Sequence, residues 1–362
     1  MRSIRLLVCV LLLVLTPPTV AGQPAPSAGS IVRELVHSPA LEGNLLGDTA
    51  DQPVAIYLPP GYADISRRYP VLYLLHGIGG TPQDWVGPSY QGMEIRAVMD
   101  SLIAVGAIQP MIVVMPNGTN RYIGTFYMNS PVGGGWEDFI SRDLVAHLDR
   151  MYRTLARRES RGVTGHSMGG LGSILMGMHH ADVFSSVWAM NPCCLAMVDD
   201  ISADSPAWRR ADGIRTLDDF DAALAAGDFY PPAIIALASV LSPRPDRPPL
   251  YVELPFTASN GALQPSEPIL ARWRSAFPVA VAREYRGALD SLRGFHLDTV
   301  FVDEFSHIPP STRMLADTLA ELGVPHVFEM YEGDHRSRMR ERMTTLVLPW
   351  FSEMLEGESV AR

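Results

Sequence analysis

Gly165-His166-Ser167-Met168-Gly169 places a serine between two glycines, after the strand-like run Ser160-Arg161-Gly162-Val163-Thr164 and before the helix-like Gly170-Leu171-Gly172-Ser173-Ile174-Leu175-Met176. A serine hydroxyl on so tight a strand-to-helix turn is pushed into a cleft, and only glycine leaves room two residues to either side. The turn also aims the first N–H groups of the helix at the reacting centre, where an oxyanion needs donors. The chemistry implied is nucleophilic attack on an acyl carbon. A serine hydroxyl attacks only when a base takes its proton, so the chain must supply a histidine, and a carboxylate to orient it.

The chain order expected around such a turn is serine, acid, histidine, each near the C-terminal end of a strand. Among the ten histidines, His335 in Tyr331-Glu332-Gly333-Asp334-His335 follows the last strand-like run and precedes the last helix-like one, which makes it the base. His296, His307 and His326 lie before or inside earlier elements and fit less well. The acid falls at Asp303-Glu304, just past the run Thr299-Val300-Phe301-Val302. Asp303 is the first carboxylate there, Glu304 is chemically able to replace it, and both remain open. Asp334 is disfavoured because it would have to fold back on its neighbour. The oxyanion donors expected are the N–H of Met168 and, from the glycine-rich His76-Gly77-Ile78-Gly79-Gly80, that of Ile78.

These residues need a scaffold, and the sequence describes one. Val71-Leu72-Tyr73-Leu74-Leu75, Ile112-Val113-Val114-Met115 and Ser186-Val187-Trp188-Ala189-Met190 are continuous apolar runs of strand length, as expected where both faces of a parallel sheet are covered. Val54 to Leu58 and Val327 to Tyr331 complete the strand set, and helical patterns run over 95–105, 139–152, 312–322 and 339–355. Strand and helix alternating in this rhythm imply an α/β sheet with right-handed crossovers. The rhythm breaks over 196–292, where helical segments alternate with Pro-rich stretches such as Pro243-Arg244-Pro245-Asp246-Arg247-Pro248-Pro249. That stretch is expected to be a cap inserted before the acid strand of a single catalytic domain, 23–362. No internal repeat is present.

Taken together, His76-Gly77-Ile78-Gly79-Gly80 with Asp84-Trp85, the Gly165-to-Gly170 turn, and Gly333-Asp334-His335 resemble the esterase D-like family of α/β-hydrolases. That family includes feruloyl esterases, S-formylglutathione hydrolases, enterochelin esterases and the antigen 85 mycolyltransferases. Trp136-Glu137-Asp138-Phe139 leading into Asp143-Leu144 and Tyr152 is similar to the helix before the family's serine turn. The resemblance covers roughly residues 50–195 and 297–352. It implies the α/β-hydrolase fold, a mostly parallel central sheet with helices on both faces. It also implies a triad of Ser167, Asp303 and His335 with an oxyanion hole from Ile78 and Met168. The chain departs from the family at the acid, where many members show Gly-x-x-Asp and this sequence has Phe301-Val302-Asp303-Glu304-Phe305.

Met1-Arg2-Ser3-Ile4-Arg5, the apolar run Leu6 to Leu15 and small residues near Ala21 read as a signal peptide, residues 1–22, so export or a periplasmic location is expected. The run is about half of what spans a bilayer, so no permanent anchor is expected. A net charge of −10 argues against nucleic acid or an anionic membrane surface as the main partner. After Cys9 leaves with the signal, Cys193 and Cys194 remain, and adjacent cysteines cannot staple a framework; they read as two buried thiols, or as a vicinal disulfide near the site. No cofactor is expected. No metal site is supported, since His179 and His180 are adjacent on a helix and should face different directions. The run Arg336, Arg338, Arg340, Arg342 reads as a solvated helix face or as an attractor for an anionic substrate. Trp85, Tyr122, Phe126, Tyr127 and Trp136 are candidates to stack on an acyl group or to fill the core.

The expected activity is hydrolysis of small-molecule or polysaccharide-linked carboxylic esters, of feruloyl or acetyl plant-wall type, through an acyl-enzyme. Formylglutathione hydrolysis in the cytosol is disfavoured by the signal peptide. The alternatives are transfer of the acyl group to a sugar or other alcohol, and a silent binding protein that keeps the fold.

Overall fold

The computed structural model describes residues 28–358 apart from residues 91, 260 and 261. The expected signal peptide, residues 1–22, lies outside the described residues. An eight-stranded sheet forms the centre, from β1 Ser30–His37, β2 Asp51–Leu58, β3 Val71–Leu75, β4 Ile112–Pro116, β5 Arg161–His166, β6 Ser186–Met190, β7 Gly294–Val300 and β8 Val327–Tyr331, in spatial order β1-β2-β4-β3-β5-β6-β7-β8. Pairing is parallel from β4 through β8 and antiparallel where β2 meets β1 and β4. The mostly parallel sheet expected from the apolar runs is thus the one observed.

Around it run α1 Ile95–Ala104, α2 Leu144–Met151, α3 Met168–His179, α4 Tyr230–Leu241, α5 Ile308–Leu322 and α6 Leu348–Met354. Side chains alternate across each strand, so β3 divides its apolar residues between two cores. Val71, Tyr73 and Leu75 belong to the same core as Leu144, Leu171 and Leu315 of α2, α3 and α5. Leu72 and Leu74 pack with Val98 and Met99 of α1 and Phe351 of α6. All five β3 residues are buried, which is why the strand reads as an unbroken apolar run rather than an alternating one. Truncating any of these leucines to alanine should cost about 2–5 kcal/mol.

Several elements differ from expectation. β1 starts at Ser30, where no strand was expected; only Val36 of its eight residues is buried, so this edge strand carries almost no hydrophobic signal. β7 begins at Gly294 and ends at Val300, so Phe301 and Val302, expected inside the strand, form an exposed turn before Asp303. The C-terminal helical stretch is continuous but changes pitch, from Met339–Arg342 through a π-turn over Met343–Val347 into α6, and Pro349, which has no N–H to donate, follows that change. Between β6 and β7 the chain leaves the sheet for short helices over Ala207–Gly213 and Leu217–Ala225, then α4, and a ribbon of Phe256–Ser259 with Ala262–Pro265. No helix among the described residues is long and apolar enough to cross a membrane.

Candidate active site

Ser167 sits between β5 and α3 with φ 58° and ψ −117°, a left-handed conformation that is strained for a non-glycine residue. Its N–H donates to Met190 O on β6 at 3.0 Å, and its carbonyl accepts from Leu171 N–H at 3.0 Å and Cys193 N–H at 3.2 Å. These bonds fix the turn from three sides. The flanking glycines are demanded by backbone proximity: a Cβ on Gly165 would lie 2.4 Å from Gly169 O, and one on Gly169 would lie 2.3 Å from Leu75 O.

His335 follows β8 and Asp303 follows β7. Paired in register at Val300–Tyr331, these parallel strands deliver both loops to the same end of the sheet. The His335 Nδ1–H donates to Asp303 Oδ2 at 2.8 Å across a sequence separation of 32 residues. Both residues are buried. A carboxylate only accepts, so a proton is on Nδ1, and in the neutral imidazole the Nε2 lone pair is the free one. Asp303 Oδ1 is held by Phe305 N–H at 2.8 Å. Glu304, the alternative acid, accepts instead from the His335 backbone N–H at 3.1 Å and makes no bond to the imidazole. Ser167 and His335 line one cavity of 360 Å³. No hydrogen bond joins them among the described residues, as is common before substrate tightens such a site.

The loop after β3 lies against the serine turn. The side chains of Ile78 and Met168 both pack on Gly124, whose Cβ would lie 2.8 Å and 2.9 Å from them. Gly79 and Gly80 N–H groups are spent on Ile123 O and Gly77 O, while those of Ile78 and Met168 meet no protein acceptor among the described residues. These two N–H groups, one of them opening the helix α3, are thus free beside the serine turn.

Supporting residues escaped the sequence reading. His76 is fully buried; its Nε2 accepts from Gly118 N–H at 2.8 Å, so Nδ1–H donates to Gly77 O at 2.8 Å, and burial lowers its pKa. A neutral imidazole therefore staples the loop after β3, with Tyr127 OH on His76 O at 3.0 Å and Tyr90 OH accepting from Gly77 N–H at 3.3 Å. His166 Nε2–H donates to His335 O at 2.7 Å, and burial followed by the His335 imidazole holds its pKa well below the ordinary value. Asn191 donates to Tyr331 OH at 2.8 Å and His335 O at 3.1 Å and accepts from Val300 N–H at 2.9 Å, tying the acid strand to the histidine loop. Behind them, Asp298 is fully buried and held by Trp188 Nε1–H at 2.6 Å and Arg342 at 2.9 Å; burial nonetheless raises its pKa. His166 was visible as the variable residue of the serine turn, but nothing local told that its partner lies 169 positions away.

The remaining candidates separate. Cys193 and Cys194 are free thiols, buried in the cavity wall. Phe126 lines the cavity, whereas Trp85, Tyr122, Tyr127 and Trp136 fill the core. His179 and His180 do not diverge as expected. Helix α3 ends between them, and His179 Nδ1 and His180 Nε2 both reach Glu137 Oε1, at 2.9 Å and 2.8 Å. Burial pushes that carboxyl up, but the two imidazoles outweigh it and hold it at about 2. Of the arginine run, Arg342 is buried in the Asp298 pair, Arg338 pairs with Glu341, Arg340 reaches Gly92 O, and only Arg336 lines the cavity.

Comparison with known proteins agrees with this geometry. Residues 49–221 match the family described as putative esterase. Over 142 residues, 37% of this chain and 18% of the relative, the sequence is 34% identical to an endo-1,4-beta-xylanase/feruloyl esterase of Xylanibacter ruminicola. Over 134 residues, 37% of this chain and 27% of the relative, it is 34% identical to an esterase of Mycobacterium tuberculosis. The chain thus spans under a third of the length of these curated relatives. Among solved structures, a ferulic acid esterase superposes with a TM-score of 0.62 at 20% identity, covering 91% of this chain and 99% of the other. An S-formylglutathione hydrolase from Agrobacterium tumefaciens superposes at 0.58 and 16% identity, covering 93% and 99%. The fold is that of the α/β-hydrolases, and the resemblance read from the motifs holds.

Proposed function

We propose that the protein, whose residues 49–221 match the putative esterase family, is a serine esterase that hydrolyses carboxylic esters through an acyl-enzyme. The observation that carries it is a strained Ser167 sharing a cavity with a His335 imidazole whose Nδ1–H is locked onto buried Asp303.

Ser167 Oγ attacks the ester carbonyl while His335 Nε2 takes its proton. Asp303 keeps the imidazole in the accepting tautomer and stabilises the imidazolium as it forms. Charge growing on the carbonyl oxygen is met by the Ile78 and Met168 N–H groups, each such donor being worth about a hundredfold to a thousandfold in rate. The intermediate collapses, the C–O bond breaks, and the alcohol leaves with the proton from His335. Water, deprotonated by the same histidine, then releases the acid and restores the serine.

Feruloyl or acetyl esters of plant-wall type are the substrates we favour, and export of the mature chain by the signal peptide fits them. The support is the feruloyl esterase named among the relatives and the apolar wall of Phe126, Phe229, Ile234 and Leu237. The test is release of p-nitrophenol from short p-nitrophenyl esters by the chain from Gln23 onward, beside Ser167→Ala. The variant should lose on the order of a millionfold in turnover. Equal activity in both proteins, or none in the wild type, would sink the reading.

A further inference from the structure

His307 takes no part in the chemistry above, yet it lines the same cavity as Ser167. It precedes α5, on the loop that carries Asp303, and is only 4% exposed. One side of its ring is fully committed. Nδ1–H donates to Asp200 Oδ1 at 2.7 Å, and its backbone N–H reaches the same oxygen at 3.1 Å. Asp200 Oδ2 accepts from the Tyr230 hydroxyl at the start of α4. The other side is not satisfied: Nε2 faces Cys194 Sγ at 4.0 Å, the outer limit for sulfur and a weak partner at best.

We propose that His307, backed by Asp200 and Tyr230, is a specificity-determining residue of the acyl cavity, whose Nε2–H binds an oxygen atom carried on the acyl group. The inference rests on the esterase reading, which makes this cavity the acyl site. Oxygen-substituted acyl groups are then preferred over their deoxy counterparts.

Protonation favours the donor role. Burial opposes a charge on His307, but the net shift is upward, with the hydrogen-bonded Asp200 carboxylate its leading cause, so Nε2 carries a proton at neutral pH. Cys194 remains a thiol, pushed well above its ordinary value by the Cys193 thiol and by burial, and offers no anion in return. Position agrees as well. Cys193 N–H bonds the Ser167 carbonyl, so the thiol facing His307 is one residue from the nucleophile's backbone. The wall between is apolar and aromatic: Phe305 packs on the His335 ring at 4.9 Å and on Phe229 at 5.2 Å. A hydrocarbon acyl group filling this space would leave a buried cationic N–H without an oxygen acceptor. Sites built around such a donor reject the analogue lacking the acceptor more strongly than apolar pockets reject an extra methylene.

Calorimetric binding of free acids tests this without requiring turnover. The pairs are benzoate and 4-hydroxybenzoate, phenylacetate and 4-hydroxyphenylacetate, and 3-phenylpropanoate and 3-(4-hydroxyphenyl)propanoate, so that no reach is assumed. At one length or more, the hydroxylated acid should bind about tenfold more tightly, as for a hydrogen bond to a charged group. His307→Phe should remove that preference, and Tyr230→Phe, which leaves the imidazole in place, should keep most of it. Melting curves establish that the variants fold, and Asp200→Asn, expected to weaken the preference, replaces His307→Phe if the latter does not. Equal binding of both members of every pair, or a preference that survives His307→Phe or Asp200→Asn undiminished, overturns the assignment. Wild-type turnover of p-nitrophenyl acetate tests the esterase reading separately, so the two failures are distinguishable.

Discussion

Asp303→Asn is the perturbation that isolates the acid. In the wild type, Asp303 uses Oδ2 for His335 Nδ1 at 2.8 Å and Oδ1 for Phe305 N–H at 2.8 Å. An asparagine has one oxygen, and the rigid backbone N–H of Phe305 claims it. Its amide NH2 then faces Nδ1, which must present a lone pair, and the ring proton moves to Nε2. There it points toward the serine it should deprotonate. The fold is spared, since both polar contacts survive with roles exchanged, but the tautomer is wrong. A loss of about 10⁴ in kcat is expected, on the order of 5 kcal/mol at 1.36 kcal/mol per tenfold. Glu304→Gln is the matched control. Glu304 meets only the His335 backbone N–H, and a glutamine oxygen accepts that bond with a loss of about 1 kcal/mol, or about fivefold. The assay is kcat for p-nitrophenyl acetate on both variants, with thermal melts alongside. A Glu304→Gln defect as deep as that of Asp303→Asn would refute the assignment, as would Asp303→Asn turnover above about a tenth of wild type.

Other consequences follow from the supporting residues. Arg342→Met strands the carboxylate of Asp298, whose side chain is fully buried, and should cost about 3–5 kcal/mol at neutral pH, read by urea denaturation. Burial raises the Asp298 pKa, so the folded state binds this proton more readily than the unfolded chain; the penalty should shrink as pH falls toward the unfolded carboxylate range, and an identical loss at pH 5 and pH 7.5 would refute the account. His166 is the opposite case: its folded pKa lies well below the ordinary value, so the unfolded chain takes up a proton that the fold refuses. Stability should therefore fall as pH drops below about 6.5, and His166→Gln should remove one proton's worth of that slope in denaturation midpoints against pH. Gly169→Ala drives a Cβ into Leu75 O at 2.3 Å, so β3 and α3 must separate; the variant should fail to accumulate folded or melt far below wild type.

Sequence alone determined the parts of this protein whose causes are local. The serine turn is legible because two glycines within five residues are required by atoms of the same turn and of the adjacent strand. The β3, β4 and β6 runs are legible because covering both faces of a strand leaves every position apolar. Ser167, His335 and the Asp303-Glu304 segment could be nominated by chain order, since each follows a strand end. β1 was missed because an edge strand with one buried residue has no pattern to read. What the tertiary structure decided is everything that depends on which strands become neighbours. β7 beside β8 brings Asp303, rather than Glu304, to the imidazole. β6 between β5 and β7 lets Asn191 and His166 grip the histidine loop, and turns His307, an unremarkable residue before a helix, into a wall of the cavity. Hydrogen bonds across 107 to 169 positions leave no trace in local composition, because their partners are set by the sheet's spatial order and not by spacing along the chain.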